Sequence, residues 1–405
     1  MPVLRHARLV LPDGVVEDGW LSTDGERIAA LGGPAELPSS STGHDGSTQG
    51  RNGDPRSHDL AGHYVVPGFV DMHVHGGGGG AFSSGRVEEA RKAIAFHLSH
   101  GTTTTIASTV TGALPDLERY VGELAELVED GELAGIHLEG PFIARSRCGA
   151  HDPNLLRDPD PAAVQRLVKA GRGSVRMVTL APELDHGIEA TGLLADAGVI
   201  AAIGHTDATY AEANLAIARG ARVATHIFNA MRPVHHREPG PVTAALEQDE
   251  VFVEIVNDGM HVHPSVVSLV YSAAGAHRIA LITDAMEAAG AADGRYPLGP
   301  LTVEVSDGAV RVAGTDTLAG STLTMDNALR NTVLSVGVPI EQAAVSASLT
   351  PARALGLDDR IGTLETGKYA DLVVLDDDLR VVAVMRRGRW VHGMGVTAHT
   401  PAVTL

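Results

Sequence analysis

The chain has 405 residues, with 31 Lys and Arg against 50 Asp and Glu, and this net charge of −19 excludes the basic face that a nucleic-acid partner needs. A composition of 44% hydrophobic and 20% charged residues excludes disorder throughout and leaves length for a large core plus a second unit. The single cysteine, Cys148, excludes an internal disulfide or a thiolate zinc cluster and predicts a reducing compartment. Histidine, at 20, outnumbers Phe, Tyr and Trp together (6, 6 and 2), which points to a hard or borderline metal held by nitrogen and oxygen. Residues 1–14 carry no basic run followed by an apolar stretch, so no secretory leader is expected. No segment has the length of apolar sequence that a membrane span requires. A soluble cytoplasmic protein is the expectation.

In chain order, Val3 to Leu11, Val15 to Leu21 and Arg27 to Leu31 read as short strands divided by turns at Pro12-Asp13-Gly14 and Asp24-Gly25. Residues 32–59 are almost entirely Ser, Gly, Asp, Pro, Thr, His and Asn, too polar to fold alone, and predict a flexible surface insertion. From Tyr64 the texture changes to apolar runs of strand length alternating with amphipathic stretches. The runs are Tyr64 to His75, Thr102 to Val110, Leu133 to Glu139, Val175 to Leu180, Val199 to His205, Val223 to Asn229, Val251 to Asn257 and Ile279 to Asp284. Helices are predicted between them at Arg86 to His100, Leu114 to Glu129, Pro161 to Ala170, Gly187 to Ala197 and Ala211 to Ala218. Eight such units imply parallel strands with right-handed crossovers and match a closed (β/α)8 TIM-like barrel better than an open sheet.

A hairpin at Leu301 to Val312, a helical stretch at Met325 to Leu355 with Pro351 at a helix start, and strands at Ala370 to Leu375 and Val381 to Val391 complete the chain. The two ends are predicted to pair in a small β-sandwich outside the barrel. The expected division is 1–63 and 358–405 for that unit and 64–357 for the barrel.

The chemistry-bearing residues fall where the apolar runs end. In a barrel, the carboxyl ends of the strands converge on one face. The first run ends in Asp71-Met72-His73-Val74-His75, and residues two apart on a strand point the same way, so His73 and His75 offer two imidazoles to one ion. Gly76 to Gly80 let the chain leave the strand sharply and leave room for a ligand. Alone, this pair fits a satisfied polar cluster as well as it fits a metal. Other runs end in His137-Leu138-Glu139, Gly204-His205, Thr225-His226 and Thr283-Asp284. A single strand-end histidine is more often hydrogen-bonded structure than ligand, and a strand-end aspartate often caps a helix. Together, His73, His75, Glu139, His205, His226 and Asp284 supply four imidazoles and two carboxylates, a set suited to one or two divalent ions.

The segments Pro67-Gly68-Phe69-Val70-Asp71-Met72-His73-Val74-His75-Gly76, His137-Leu138-Glu139-Gly140-Pro141-Phe142, Gly149-Ala150-His151, Gly204-His205-Thr206, Thr225-His226-Ile227-Phe228-Asn229-Ala230-Met231, Arg237-Glu238-Pro239-Gly240, Asp258-Gly259-Met260-His261, Thr283-Asp284-Ala285 and Ala319-Gly320-Ser321 occur in this order. Over nearly its whole length the chain thereby resembles the amidohydrolase superfamily, and within it the deacetylases of phosphorylated amino sugars. The resemblance implies a metal-dependent hydrolysis of the acetamide of N-acetyl-D-glucosamine 6-phosphate. The galactosamine epimer or a dihydropyrimidine-like ring amide is the alternative.

It further implies that Glu139, His205 and His226 hold one ion, that Asp284 is the catalytic acid and base, and that His151 polarises the acetamide carbonyl. Because His73 and His75 are both present, the resemblance is compatible with one ion or with two ions sharing Glu139, with Asp284 also near the first. Zinc and iron are both compatible with these ligands. Ring amidases of the superfamily often bridge two metals with a carboxylated lysine on the fourth strand, but Val175 to Leu180 has no lysine and Glu139 must serve.

A phosphorylated substrate needs local positive charge on so acidic a protein. Arg237 and His261 are the expected donors, with Asn229 and Ala230 nearby. The resemblance implies a homodimer in which Arg237 reaches the neighbouring site; the plain alternative is a solvated loop charge. His235 and His236 receive no role. Cys148, three residues before His151, lacks an identifiable base and reads as a bystander in a loop over the site. A non-catalytic scaffold on the same fold should lack the ligand set that this chain retains.

Overall fold

The computed structural model describes residues 2–36 and 57–394. Eight strands, Phe69–Val74, Thr102–Thr109, Gly135–Glu139, Val175–Leu180, Ile200–Ile203, Ala221–Ala224, Phe252–Val256 and Ile279–Ile282, pair in parallel in sequence order. Their period of two divides the side chains between two layers. Met72, Ile106, Met177, Ala202, Val223, Val256, Ala280 and Ile282 fill the interior. Ala107, Val178, Ile203, Ala224, Ile255 and Leu281 face outward into the layer shared with the helices. Between the eighth strand and the first, Thr283 Oγ1 donates to Asp71 Oδ2 at 2.6 Å and the Asp284 amide donates to the His73 carbonyl at 2.9 Å. Burial pushes the Asp71 carboxyl up to about 7, against the hydrogen bonds from Thr283 and His73.

The predicted helices form at Val87–Ser99, Leu114–Glu129, Pro161–Ala170, Gly187–Asp196 and Tyr210–Ala218, and Gly240–Glu247 and Pro264–Ala274 continue the ring. Local sequence sets their starts. Asp160 accepts from the Ala163 amide ahead of Pro161, and Thr209 and Glu212 form a reciprocal capping box.

Two expectations change. The first apolar run divides at Gly68: Tyr64–Pro67 pairs with Val3–Leu11 and Leu372–Leu375 in the terminal sheet, and only Phe69–Val74 enters the barrel. A Cβ at Gly68 would lie 2.1 Å from Thr103 Oγ1, so the chain changes sheet where a side chain has no room. The glycines after His75 serve packing, not ligand room. Gly76–Gly77 and Gly80–Ala81 form a minimal antiparallel ribbon, and a Cβ at Gly77 would meet Phe96 Cδ1 at 2.6 Å and His97 Nε2 at 2.7 Å.

Both chain ends build one mixed sheet, in the order Arg389–His392, Val381–Arg386, Leu372–Leu375, Tyr64–Pro67, Val3–Leu11, Gly14–Asp24 and Arg27–Gly32. The Ile28 amide donates to the Lys368 carbonyl and the Ala370 amide to the Glu26 carbonyl, so the sheet turns back on a core of Leu4, Leu9, Leu21, Ile28, Val65, Leu372, Val374 and Met385. Arg386 ties this unit to the barrel through the Gly131 carbonyl at 3.1 Å. Most of the predicted 32–59 insertion lies outside the described residues, but Ser57–Asp59 is a short strand beside Val3 to Arg5. The predicted hairpin has a third strand, Gly294–Leu298 before Leu301–Ser306 and Ala309–Val312, and the chain around it reaches the barrel mouth. Among the described residues, no helix is long and apolar enough to cross a membrane.

Candidate metal centre and active site

The third strand ends on Glu139, and three further site residues lie two positions past a strand end: His205 after Ile203, His226 after Ala224, and Asp284 after Ile282. All three of these residues have positive φ, at 47°, 25° and 49°. Such backbone costs on the order of 1–3 kcal/mol for each residue and turns the side chain over the mouth of the barrel.

Glu139 is the hub. Its Oε1 lies 2.9 Å from His226 Nε2, 3.2 Å from His205 Nε2 and 3.5 Å from His73 Nε2. Its Oε2 lies 3.1 Å from His75 Nε2 and 3.4 Å from His151 Nε2. Asp284 Oδ1 stands 3.3 Å from His75 Nε2 and 3.6 Å from His73 Nε2. The structure thus brings together His73, His75, Glu139, His151, His205, His226 and Asp284, all buried.

The donor set fits a divalent cation. His73 Nε2 and His75 Nε2 face each other at 3.2 Å, and His205 Nε2 and His226 Nε2 at 3.1 Å. Lone pairs at that separation repel unless a proton or a cation lies between them. Burial disfavours a charged His75, yet hydrogen bonds to Asp284 and Glu139 raise it to about 9. Burial likewise opposes charge on His73, but Glu139, Glu254 and Asp284 hold it well above the ordinary imidazole range. The pocket therefore demands positive charge, which protons supply in the protein alone and a metal supplies by displacing them. Donor atoms within 4.8 Å of one another form two groups that share Glu139, one with His73 and His75, the other with His151 and His205.

The second group contains His151 where the sequence points to His226, and hydrogen bonding separates the roles of His151 and His205. His205 Nδ1 lies 2.8 Å from the Arg147 carbonyl and donates to it, leaving the Nε2 lone pair toward Glu139. The Thr111 amide donates to His151 Nδ1 at 3.3 Å and the Thr111 hydroxyl lies 2.8 Å from the same nitrogen; with Nδ1 accepting, the neutral ring carries its proton on Nε2, inside the site. Burial lowers His151 to about 4, despite its contact with Glu139, and keeps that ring neutral. His151 is therefore arranged as a hydrogen-bond donor and His205 as a ligand, while His226 Nε2 lies 2.9 Å from Glu139 Oε1.

A cavity of about 430 Å³ opens above these groups, lined also by Arg147, Asn229, Ala230, His261, Leu298 and Leu318. Asp258 Oδ2 accepts from His261 Nδ1 at 2.7 Å. Burial opposes a charged His261, but that bond raises its pKa above the ordinary value of 6.5. The Asn229 amide group donates to the His226 and Ile227 carbonyls, each at 3.2 Å. Arg237 is exposed, packs against His236, and does not line the cavity of its own chain. Cys148 is half-buried; its neighbours Arg147 and Gly149 line the cavity and it does not. Sequence reasoning missed Thr111, Arg147, Glu254 and Asp258. Glu254 left a signal as a carboxylate inside an otherwise apolar strand, and Asp258 through its place in the segment Asp258-Gly259-Met260-His261.

Residues 64–391 match the amidohydrolase family model. The chain is 34% identical over 345 residues to the N-acetylglucosamine-6-phosphate deacetylase of Vibrio furnissii, covering 84% of this chain and 86% of that one. It is 35% identical over 395 residues to the N-acetylgalactosamine-6-phosphate deacetylase of Escherichia coli O157:H7, covering 96% and 98%. A mutant N-acetyl-D-glucosamine-6-phosphate deacetylase of Mycobacterium smegmatis, solved in complex with N-acetyl-D-glucosamine 6-phosphate, superposes with a TM-score of 0.89 at 46% identity, covering 96% of this chain and 99% of that one. With its parallel barrel, its strand-end ligand set and a family match over most of its length, the chain belongs to the amidohydrolase family.

Proposed function

We propose that this protein hydrolyses the acetamide of N-acetyl-D-glucosamine 6-phosphate to D-glucosamine 6-phosphate and acetate. The observation that carries the reading is one buried carboxylate, Glu139, facing five imidazoles beside a second carboxylate, Asp284, at the floor of a cavity of sugar size. Glu139, His205 and His226 would hold one divalent ion, and His73 and His75 with Glu139 would hold a second; both zinc and iron suit these donors. Bound there, such an ion supplies Lewis-acid polarisation of the carbonyl and lowers the pKa of water.

The chain's own groups do the remaining work. Asp284 is held ionised, since His73 and His75 pull its pKa well down against the cost of burial. It accepts a proton from the attacking water and returns it to the amide nitrogen as the C–N bond breaks. His151 donates from Nε2 to the carbonyl oxygen as negative charge develops there. His261, the backbone near Asn229 and Ala230, and Arg237 of a second subunit in a homodimer bind the phosphate. His261 is the phosphate donor within the chain, and its charge offsets the repulsion of an acidic protein.

The phosphate assignment is tested by pH. A raised pKa keeps His261 cationic above pH 6.5. Its contribution to binding is present below its own pKa and is lost as pH rises through it. KM for the phosphorylated substrate is expected to rise across that window, with no such rise for the unphosphorylated sugar. Asp258→Asn moves the rise to lower pH. Equal rates of acetate release with and without the phosphate, at every pH, contradict the assignment. The same assay with the galactosamine epimer fixes sugar preference, which relatives of 34% and 35% identity leave open.

A further inference from the structure

Glu254 has no place in the mechanism above, yet it is fully buried in the seventh barrel strand, Phe252–Val256. Alternation puts it on the face of Phe252 and Val256, which pack in the barrel interior, while Val253 and Ile255 face the helices. Its Oε2 accepts from His73 Nδ1 at 3.0 Å and from the His226 amide at 3.2 Å, and its Oε1 has no hydrogen-bond partner among the described residues. A buried carboxylate with one oxygen unsatisfied is retained against a desolvation cost, which calls for a role beyond packing.

The surroundings define that role. Of the four imidazoles assigned to metal, His205 is oriented by a backbone carbonyl, and the Nδ1 atoms of His75 and His226 have no partner among the described residues. Among the described residues, His73 is the one of the four whose Nδ1 is held by a carboxylate. Accepting from Nδ1 fixes the His73 tautomer, turns the Nε2 lone pair toward His75, and makes the ring a stronger donor. The same oxygen restrains the backbone of His226, a ligand of the other group, at its strained φ of 25°.

We infer that Glu254 is the positioning residue of a two-metal centre: through one charged oxygen it activates His73 for the first-strand ion and tethers His226 of the other ion. This rests on the assignment of His73 and His75 as ligands.

The test is a Zn²⁺ titration of the purified, metal-stripped protein against a chromophoric chelator, with metal content measured in parallel. The wild type is expected to bind two ions per subunit. Glu254→Gln, which keeps the volume and an acceptor oxygen but not the charge, is expected to weaken one of the two sites by about 10–100-fold. Glu254→Ala, which also removes the acceptor of the His226 amide, is expected to weaken that site at least as far and the other site as well. In a His73→Ala background, Glu254→Gln, whose amide oxygen can still accept from the His226 amide, should have no further effect on Zn²⁺ binding. Two ions bound by the Gln variant with wild-type affinity overturn the inference. So does, in that variant, a loss shared equally by both sites together with a lowered Tm, the mark of a merely structural carboxylate. A wild type that binds one ion removes the two-metal reading itself and the inference with it, and is recognised before any substitution is made.

Discussion

Asp284→Asn is expected to lower kcat by about 10²–10⁴-fold, the range a positioned general acid and base contributes, while metal content and substrate affinity stay close to wild type. Asparagine keeps the size of the side chain and tolerates the left-handed backbone that Asp284 adopts at φ 49°. The Asp284 amide still donates to the His73 carbonyl, and its carbonyl still accepts from the Ser321 amide, so the eighth strand remains anchored to the first. What is lost is the proton acceptor beside His75, because an amide oxygen does not take a proton from water near neutral pH. Single-turnover acetate release, substrate binding and metal analysis on one preparation separate these effects. A kcat near wild type removes Asp284 from the role; a loss of metal in proportion to activity makes it a ligand first.

Glu139→Gln is expected to strip metal from both ligand groups and lower activity by at least the roughly 10²–10³-fold that one preorganised electrostatic group supplies. Among the described residues it is Glu139 that spans both groups, with Oε1 against His205 and His226 and Oε2 against His75. Its carboxyl is held well below the usual range: burial alone would raise it, and the surrounding imidazoles overcome that cost. An amide carries no charge to balance them and points an N–H at lone pairs. Metal content after gel filtration should fall below one ion per subunit. Retention of two ions by a folded Glu139→Gln protein contradicts the hub assignment.

The barrel was legible because parallel strands covered on both faces read as unbroken apolar runs, and because the polar residues fall at their ends. His73 and His75 were visible through their spacing of two, and Glu139, His205, His226 and Asp284 through their shared topological position. An apolar run does not show where a strand changes sheet, so the break at Gly68 was hidden. It became visible only with Thr103 packed against it. Glycines read as ligand room after His75 instead pack against Phe96 and His97, a contact across about twenty residues that no local pattern records. The orienting partners were hidden for the same reason. Thr111 meets His151 forty residues away, and Glu254 meets His73 at a separation of 181. Arg237 stood out as a cation in a motif, yet one chain alone does not bring it to the cavity.

The central claim is that acetate release from N-acetyl-D-glucosamine 6-phosphate depends on divalent metal held by the Glu139 cluster. Its most direct test follows acetate release before chelation, after chelation verified by metal analysis, and after re-addition of Zn²⁺ or Fe²⁺ without oxygen. The expected result is loss of activity with the metal and recovery on reloading, with the protein folded throughout. Undiminished acetate release from protein shown to be free of metal contradicts the account.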